Sequence, residues 1–418
     1  MNPRRVSTGG WAYAGLLLFI FVVYSNPGNW FDGMEDVGFA KIAAALSVVA
    51  LGGSWLFYNR RLTIGGWAGA ALISLFALVG FSALWSYWPR YTVDTFVDGL
   101  KYLAIFLLVA NLIDGEARLR GVVRALALAS LIPAFGGIVS WSRGEHLVDG
   151  DRAGWIGIFG NPNDLAYHLV VGVALVLAAR EAEPRRALRL AWLSALIPLG
   201  VAIMLTQSRG GMLASGVVLG LWVVSSLRRS GSSVAMKLAG LALTLGCVVY
   251  LAPGNPWSTR MESSRAYGED VSARGRLDAW RTGLAIAADR PLTGVGAGAF
   301  MVAWPDYAPG DAGTVRSEHN TFIQLVGELG IPGLALFLIS FVAGVMSAGR
   351  AARDPRLRPY ARGVQCALAG FAVCSLSGGL AFSWPLYLLL GVALALKRMA
   401  PAPVEKSAAP PLALAGAQ

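Results

Sequence analysis

The chain has 418 residues, 56% of them hydrophobic and 14% charged, with a mean hydropathy of +0.57 and a formal net charge of +11. A soluble domain cannot hide that much apolar surface, so most of it must face lipid. No basic patch of the kind that binds nucleic acid is apparent on a soluble surface, so no nucleic-acid partner is expected.

In chain order, the predicted spans are 11–24, 37–57, 63–84, 98–113, 119–140, 164–180, 187–206, 210–226, 235–252, 322–348, 359–377 and 379–397. These make about twelve helices, each near the roughly 20 residues that cross a hydrocarbon core. The expected fold is all-α: a polytopic membrane protein with one large outer loop containing short helices. Strand-like alternation is absent, and open sheet edges cannot be satisfied in lipid. No small-residue cleavage site follows Trp11–Tyr24, so that run reads as an uncleaved span.

Arginine and lysine fall on alternate loops: Arg4/Arg5, Arg60/Arg61, Arg118/Arg120/Arg124, Arg180/Arg185/Arg186/Arg189, Arg228/Arg229/Lys237, Arg350 to Arg362, and Lys397/Arg398/Lys406. That pattern places both termini inside. It sets the organisation as 1–252 (helices one to nine), 253–320 (the large outer loop), 321–400 (helices ten to twelve) and 401–418, an Ala/Pro-rich tail expected to be disordered. Cys247, Cys366 and Cys374 lie in predicted helices and read as packing residues, with no metal or disulfide spacing.

The large loop holds seven arginines and no lysine. Within it, Leu277, Trp280, Leu284 and Ala287 share one face at helical spacing, predicting an interfacial amphipathic helix over 275–287. Pro291 and a Gly294–Gly298 run follow; no strand precedes the run, so a dinucleotide fingerprint is rejected. Asp149-Gly150-Asp151 resembles a metal-binding D-x-D but reads as a solvated turn. The Gly157–Asp164 segment leads into helix six, with Asn163 or Asp164 as a predicted N-cap.

Two places can do chemistry. Arg209, in the tight turn Thr206–Gly211, puts a permanent planar cation at the hydrocarbon boundary, which suits a phosphate or pyrophosphate. His319, beside Glu318 and Asn320, can accept a proton near neutral pH, with those neighbours expected to orient the ring. Glu328 shares a helical stripe with Asn320 and Gln324, and an acid inside a span is a functional candidate. His146 and His168 are weaker, the one in a polar loop and the other in a helix where packing or hydrogen bonding accounts for it.

The segment His319-Asn320-Thr321-Phe322-Ile323-Gln324, then Glu328-Leu329-Gly330 and Gly333-Leu334, resembles a signature of the O-antigen ligase and polymerase superfamily. Thr206-Gln207-Ser208-Arg209-Gly210 resembles that superfamily's T-x-S-R-G turn. Gly275-Arg276-Leu277…Trp280 and Pro291-Leu292-Thr293-Gly294 resemble its outer loop, and Gly160-Asn161-Pro162-Asn163 a further shared element. The resemblance spans about 155–340; Ile323 stands where leucine is commoner.

The resemblance implies transfer of a glycan from an undecaprenyl-pyrophosphate carrier on the periplasmic face of a bacterial inner membrane, in the ligase branch to lipid A–core. The family's histidine maps to His319, its turn arginine to Arg209, and a loop arginine to Arg276, with Arg265 and Arg281 as further matches. Asn320, Gln324, Glu328, Asn161 and Asn163 are the expected substrate-binding positions, and no metal or cofactor is expected. Two alternatives stay open: a polymerase of the same superfamily, and a lipid or solute transporter. The transporter reading is disfavoured by few interior charges (Lys41, Lys101 and Glu328) and by halves that do not mirror each other.

Overall fold

The computed structural model describes residues 10–30, 33–34, 37–58, 62–227, 269–310 and 314–401. The predicted helix 235–252, Cys247, Arg265, the Lys41 side chain and residues 402–418 lie outside the described residues.

The described residues form α1 (Gly10–Ser25), α2 (Phe39–Tyr58), α3 (Trp67–Phe81), α4 (Pro89–Leu112), α5 (Glu116–Ala129), α6 (Leu131–Arg143), α7 (Pro162–Ala182), α8 (Arg186–Ser194), α9 (Leu196–Leu205), α10 (Arg209–Leu227), α11 (Glu269–Asp289), α12 (Phe300–Tyr307), α13 (Thr321–Ala351), α14 (Arg358–Cys374) and α15 (Trp384–Met399). One two-stranded hairpin pairs β1 (Leu147–Val148) with β2 (Arg152–Ala153). The protein is an all-α polytopic membrane protein. By length and composition, seven helical segments among the described residues suffice to cross a membrane, fewer than the twelve expected. At 17 and 16 residues, α14 and α15 are short.

The helices differ from their predicted spans for local reasons. The expected 119–140 helix divides at Ser130 and the expected 187–206 helix at Ala195. Each break lies three residues before a proline, Pro133 and Pro198, whose ring excludes the carbonyl four residues back. α13 bends at Gly330 (φ 66°, ψ −170°), two residues before Pro332. The hairpin, which alternation did not signal, turns through the three residues Asp149-Gly150-Asp151, of which Asp149 and Gly150 have positive φ (51° and 94°). Asp149 pairs with Arg152 at 3.1 Å and Asp151 accepts from Gln207 at 2.9 Å, so this loop is a turn tied to its neighbours.

α7 and α15 form the centre. In α15 every residue from Trp384 to Leu396 is buried, and in α7 every residue from Leu165 to Ala179. A helix apolar on all sides is one enclosed by other helices. α14, α10 and α5 pack on α7, and α4 and α13 on α15. One end of the bundle is basic. There Arg124 pairs with Glu183 at 2.5 Å, Arg118 with Asp114 at 2.9 Å, and Arg398 donates to the Ala110 carbonyl at 2.5 Å. There too, buried Arg362 grips both oxygens of Glu181 at 2.9 and 2.7 Å. It also donates to the hydroxyls of Ser225 and Ser226 and covers the Trp222 ring at 4.6 Å.

The opposite end carries a second, smaller core. α11 and α12 bury Ala279, Ile286, Val295, Ala299, Phe300, Ala303 and Trp304 against Ile323 and Tyr87. The face of α11 that packs inward holds Ala279, Thr282, Gly283 and Ile286, while Leu277 and Leu284 are exposed and Trp280 half-buried. Tyr307 donates to Asp289 at 2.5 Å and accepts from Arg290 at 3.2 Å, and Arg290 lies over Tyr87 at 4.9 Å, fastening this unit to the turn before α4.

Candidate functional site

Two helix starts make the candidate site, and they are built alike. Each is preceded by a residue forced to positive φ, Gln207 (52°) before α10 and His319 (45°) before α13. Such a conformation costs a non-glycine residue on the order of 1 kcal/mol and persists only where surroundings impose it. A capping residue follows. Ser208 Oγ accepts from Gly211 N at 3.3 Å, and Asn320 Oδ1 accepts from Phe322 N at 2.9 Å and Ile323 N at 3.2 Å. The first helical residues are then Arg209 and Thr321.

Both starts dock on one turn, residues 375–380. Thr321 N donates to the Ser375 carbonyl at 2.9 Å, and Thr321 Oγ1 donates to the Gly378 carbonyl at 2.8 Å and accepts from Leu380 N at 2.9 Å. Asn320 Nδ2 donates to the Leu376 carbonyl at 3.2 Å. On the α10 side, Gly210 lies so close to Ser377 that a Cβ there would collide with the Ser377 hydroxyl. Tyr167 of α7 completes the junction, its hydroxyl 3.0 Å from Ser377 Oγ. The turn that carries Arg209 and the turn that carries His319 therefore meet the same short segment at the same end of the bundle.

Basic groups surround His319. Arg276 of α11 and Arg316 act on its ring electrostatically, and Arg276 also acts on Tyr167. The Arg316 guanidinium lies directly over Gly275, where only a residue without Cβ leaves room. Burial first, and then these two cations, hold the His319 imidazole below its ordinary pKa, so it is neutral at pH 7. Its Nε2 shares a hydrogen bond with Ser317 Oγ at 3.2 Å.

The neighbours have other tasks than those expected. Asn320 does not orient the imidazole: its side chain caps α13 and holds Leu376, so Ser317 is the ring's partner. Glu318 and Glu328 are both buried rather than open to the ring's surroundings. Gln324 Oε1 and Glu318 Oε2 both lie beside Gly379, and the Gln324 oxygen is buried with no hydrogen-bond partner among the described residues.

Asn161, not Asn163 or Asp164, caps α7, accepting from Asn163 N at 2.8 Å with Pro162 in the first turn. Asn163 accepts from Arg152 at 3.0 Å. Arg281 is exposed and, among the described residues, pairs with Asp278 at 3.5 Å rather than with the cluster around His319. His168 has the packing role expected of it: Nδ1 donates to the Asp164 carbonyl at 2.7 Å, and the ring lies between Phe159 and Trp384.

Sequence reasoning missed Arg316 and Arg152. Arg316 had a signal, three residues before His319 in the arginine-rich loop. Arg152 had none: it is recognised only from its bonds to the Thr206 carbonyl (3.0 Å), Asn163 and Asp149, which tie the hairpin to the Arg209 turn.

The glycine run has a structural purpose. The bend at Gly330 frees the carbonyls of Gly327 and Glu328, which accept from Val295 N at 3.0 Å and Gly296 N at 2.9 Å. Gly294 (φ 59°) permits this approach, since a Cβ there would run into the backbone of Gly327 and Glu328. Broken helix is compatible with membrane depth only where such protein partners satisfy it. A separate cavity of about 310 Å³ lies among α1, α2 and α4, lined by Phe19, Asn26, Phe39, Lys101, Tyr102 and Trp384 among others, and contains none of the expected site residues.

Residues 193–338, which include Arg209, Arg276 and His319, match the family model for O-antigen ligase. Over this stretch the chain is similar to the O-antigen ligase family. It is also 25% identical over 324 residues to the exopolysaccharide production protein ExoQ of Rhizobium meliloti (strain 1021), covering 71% of this chain and 70% of that one. Together the two similarities support a glycan-processing membrane protein of the O-antigen ligase and polymerase type.

Proposed function

We propose that the protein transfers a glycan from a polyprenyl-pyrophosphate carrier, undecaprenyl pyrophosphate in a bacterial inner membrane, to an acceptor hydroxyl at the periplasmic face. The supporting observation is the shared docking of the Arg209 and His319 turns on residues 375–380. Neutral His319 takes the proton of the acceptor hydroxyl as its oxygen attacks the anomeric carbon. The bond from that carbon to the pyrophosphate oxygen breaks, inverting the centre, and the pyrophosphate leaves on its carrier. Arg209, Arg276 and Arg316, with the positive ends of α10 and α13, receive the developing charge. Delocalised arginine charge takes the place of a divalent ion in this scheme.

The acceptor in the ligase reading is lipid A–core. A second reading, in which carrier-linked units are joined to each other, is favoured by the similarity to a protein of exopolysaccharide production. Purified protein given carrier-linked glycan, with either lipid A–core or a second carrier-linked glycan, separates the two by product; a chelator arm tests metal independence. His319→Ala is expected to lower transfer by at least a hundredfold while inserting normally. Wild-type transfer in that variant overturns the base assignment.

A further inference from the structure

The hairpin between α6 and α7 has no part in the scheme above, yet two of its residues hold the turn that carries Arg209. α9 ends at Leu205, and the fully buried Thr206 is its C-cap. The Thr206 carbonyl lies at the negative end of that helix and accepts from Arg152 Nε at 3.0 Å, so a permanent cation closes the helix end. The next residue, Gln207, takes the left-handed conformation (φ 52°) that ends many helices, a place where glycine is usual. Its side chain is tied as well: Gln207 Nε2 donates to Asp151 Oδ2 at 2.9 Å. Adjacent hairpin residues, Asp151 and Arg152, thus hold adjacent turn residues, Gln207 and Thr206, and Arg209 follows two residues later.

The hairpin is itself anchored on its other side. Arg152 Nη2 donates to Asn163 Oδ1, in the first turn of α7, at 3.0 Å, and Nη1 to Asp149 Oδ2 at 3.1 Å. Trp141 of α6 donates from Nε1 to the Asp151 carbonyl at 2.9 Å. The guanidinium fork therefore reaches three ways at once, to α7, to its own loop and to the end of α9, a geometry that a point-charge ammonium does not reproduce. Bonds within the turn are longer: Ser208 N donates to Thr206 Oγ1, and Ser208 Oγ accepts from Gly211 N, both at 3.3 Å. We propose that Asp151 and Arg152 are positioning residues for Arg209, fixing the direction in which its side chain leaves the turn. Their effect on transfer rests on Arg209 receiving the pyrophosphate; their hold on the turn does not. Displacing a catalytic group by about 1 Å costs up to roughly a hundredfold in rate, so the hairpin acts on the chemical step through the turn it holds.

The test is steady-state transfer by the full chain in lipid nanodiscs, with carrier-linked glycan as donor, in Arg152→Met, Arg209→Lys and the double variant. Arg152→Met is expected to lower kcat at least tenfold in the wild-type background and less than threefold in the Arg209→Lys background. KM for the acceptor should stay within about threefold of wild type. A residue that only stabilises the fold gives the same factor in both backgrounds, and equal factors overturn the proposal. Asp151→Ala, on the exposed loop, is expected to cost at least fivefold, whereas Asp151→Asn, which still accepts from Gln207, should stay within about twofold of wild type. Alanine at the wild-type rate, or asparagine no better than alanine, overturns the role of Asp151. If Arg152→Met does not yield folded protein, Asp151→Ala in the two backgrounds makes the same test. Hydrogen–deuterium exchange over 204–212 reads the turn itself and should rise at least fivefold in Arg152→Met while 165–179 of α7 stays unchanged. Should Arg209→Lys keep wild-type transfer, the pyrophosphate reading fails and this exchange decides alone: a faster-exchanging turn supports the hairpin's hold, and wild-type protection overturns it.

Discussion

Thr321→Val tests the junction on which the site depends. Valine keeps the shape of threonine but removes the hydroxyl that donates to the Gly378 carbonyl at 2.8 Å and accepts from Leu380 N at 2.9 Å. Thr321 is fully buried, so water does not replace either bond. Each stranded buried group costs roughly 1–3 kcal/mol, so the pair costs about 4 kcal/mol at the middle of the range, a shift of roughly 900-fold in favour of an undocked turn. Thr321→Ser restores both bonds and loses one methyl, about 0.8 kcal/mol. Thermal unfolding in detergent and transfer by purified protein read the two variants. The valine variant should be the less stable by several degrees and lose most transfer, while serine stays near wild type. Equal behaviour of valine and wild type, or of valine and serine, would refute the idea that this turn joins the α10 and α13 starts.

Arg209→Lys should lower transfer at least tenfold with unchanged expression, because a point-charge ammonium lacks the bidentate fork; a wild-type rate would remove Arg209 from pyrophosphate binding. On the acid side, transfer should persist below the usual histidine range, since the His319 pKa is depressed. As pH falls through the depressed value the ring protonates and the rate drops, which a pH profile from 4.5 to 8 checks. Arg362→Ala leaves Glu181 without its buried partner, so roughly 3–5 kcal/mol of stability should go; Glu181→Gln in the same background should recover part of it in thermal unfolding. Gly294→Ala should separate the 291–300 segment from the bend in α13, detected as faster proteolysis of that segment and lost transfer.

The sequence by itself determined that this chain lives in a membrane, which runs are helical, and that His319, Arg209 and Arg276 matter to the superfamily it resembles. Those properties are carried by composition, by apolar length and by short ordered motifs, all of which are local. The positive φ of His319 and Gln207, the change of orienting partner from Asn320 to Ser317, and the breaks at Ser130 and Ala195 came only with the coordinates. So did the assignment of Arg316 to the ring's surroundings and of Arg281 to the exposed face. The reason is distance along the chain. Residues 375–380 carry no chemical motif, and they matter because two helix starts more than a hundred residues apart in sequence, at 209 and 321, both dock there. Which side chains meet is decided by how α7, α10, α13 and α14 pack, and helical periodicity is silent about its partners.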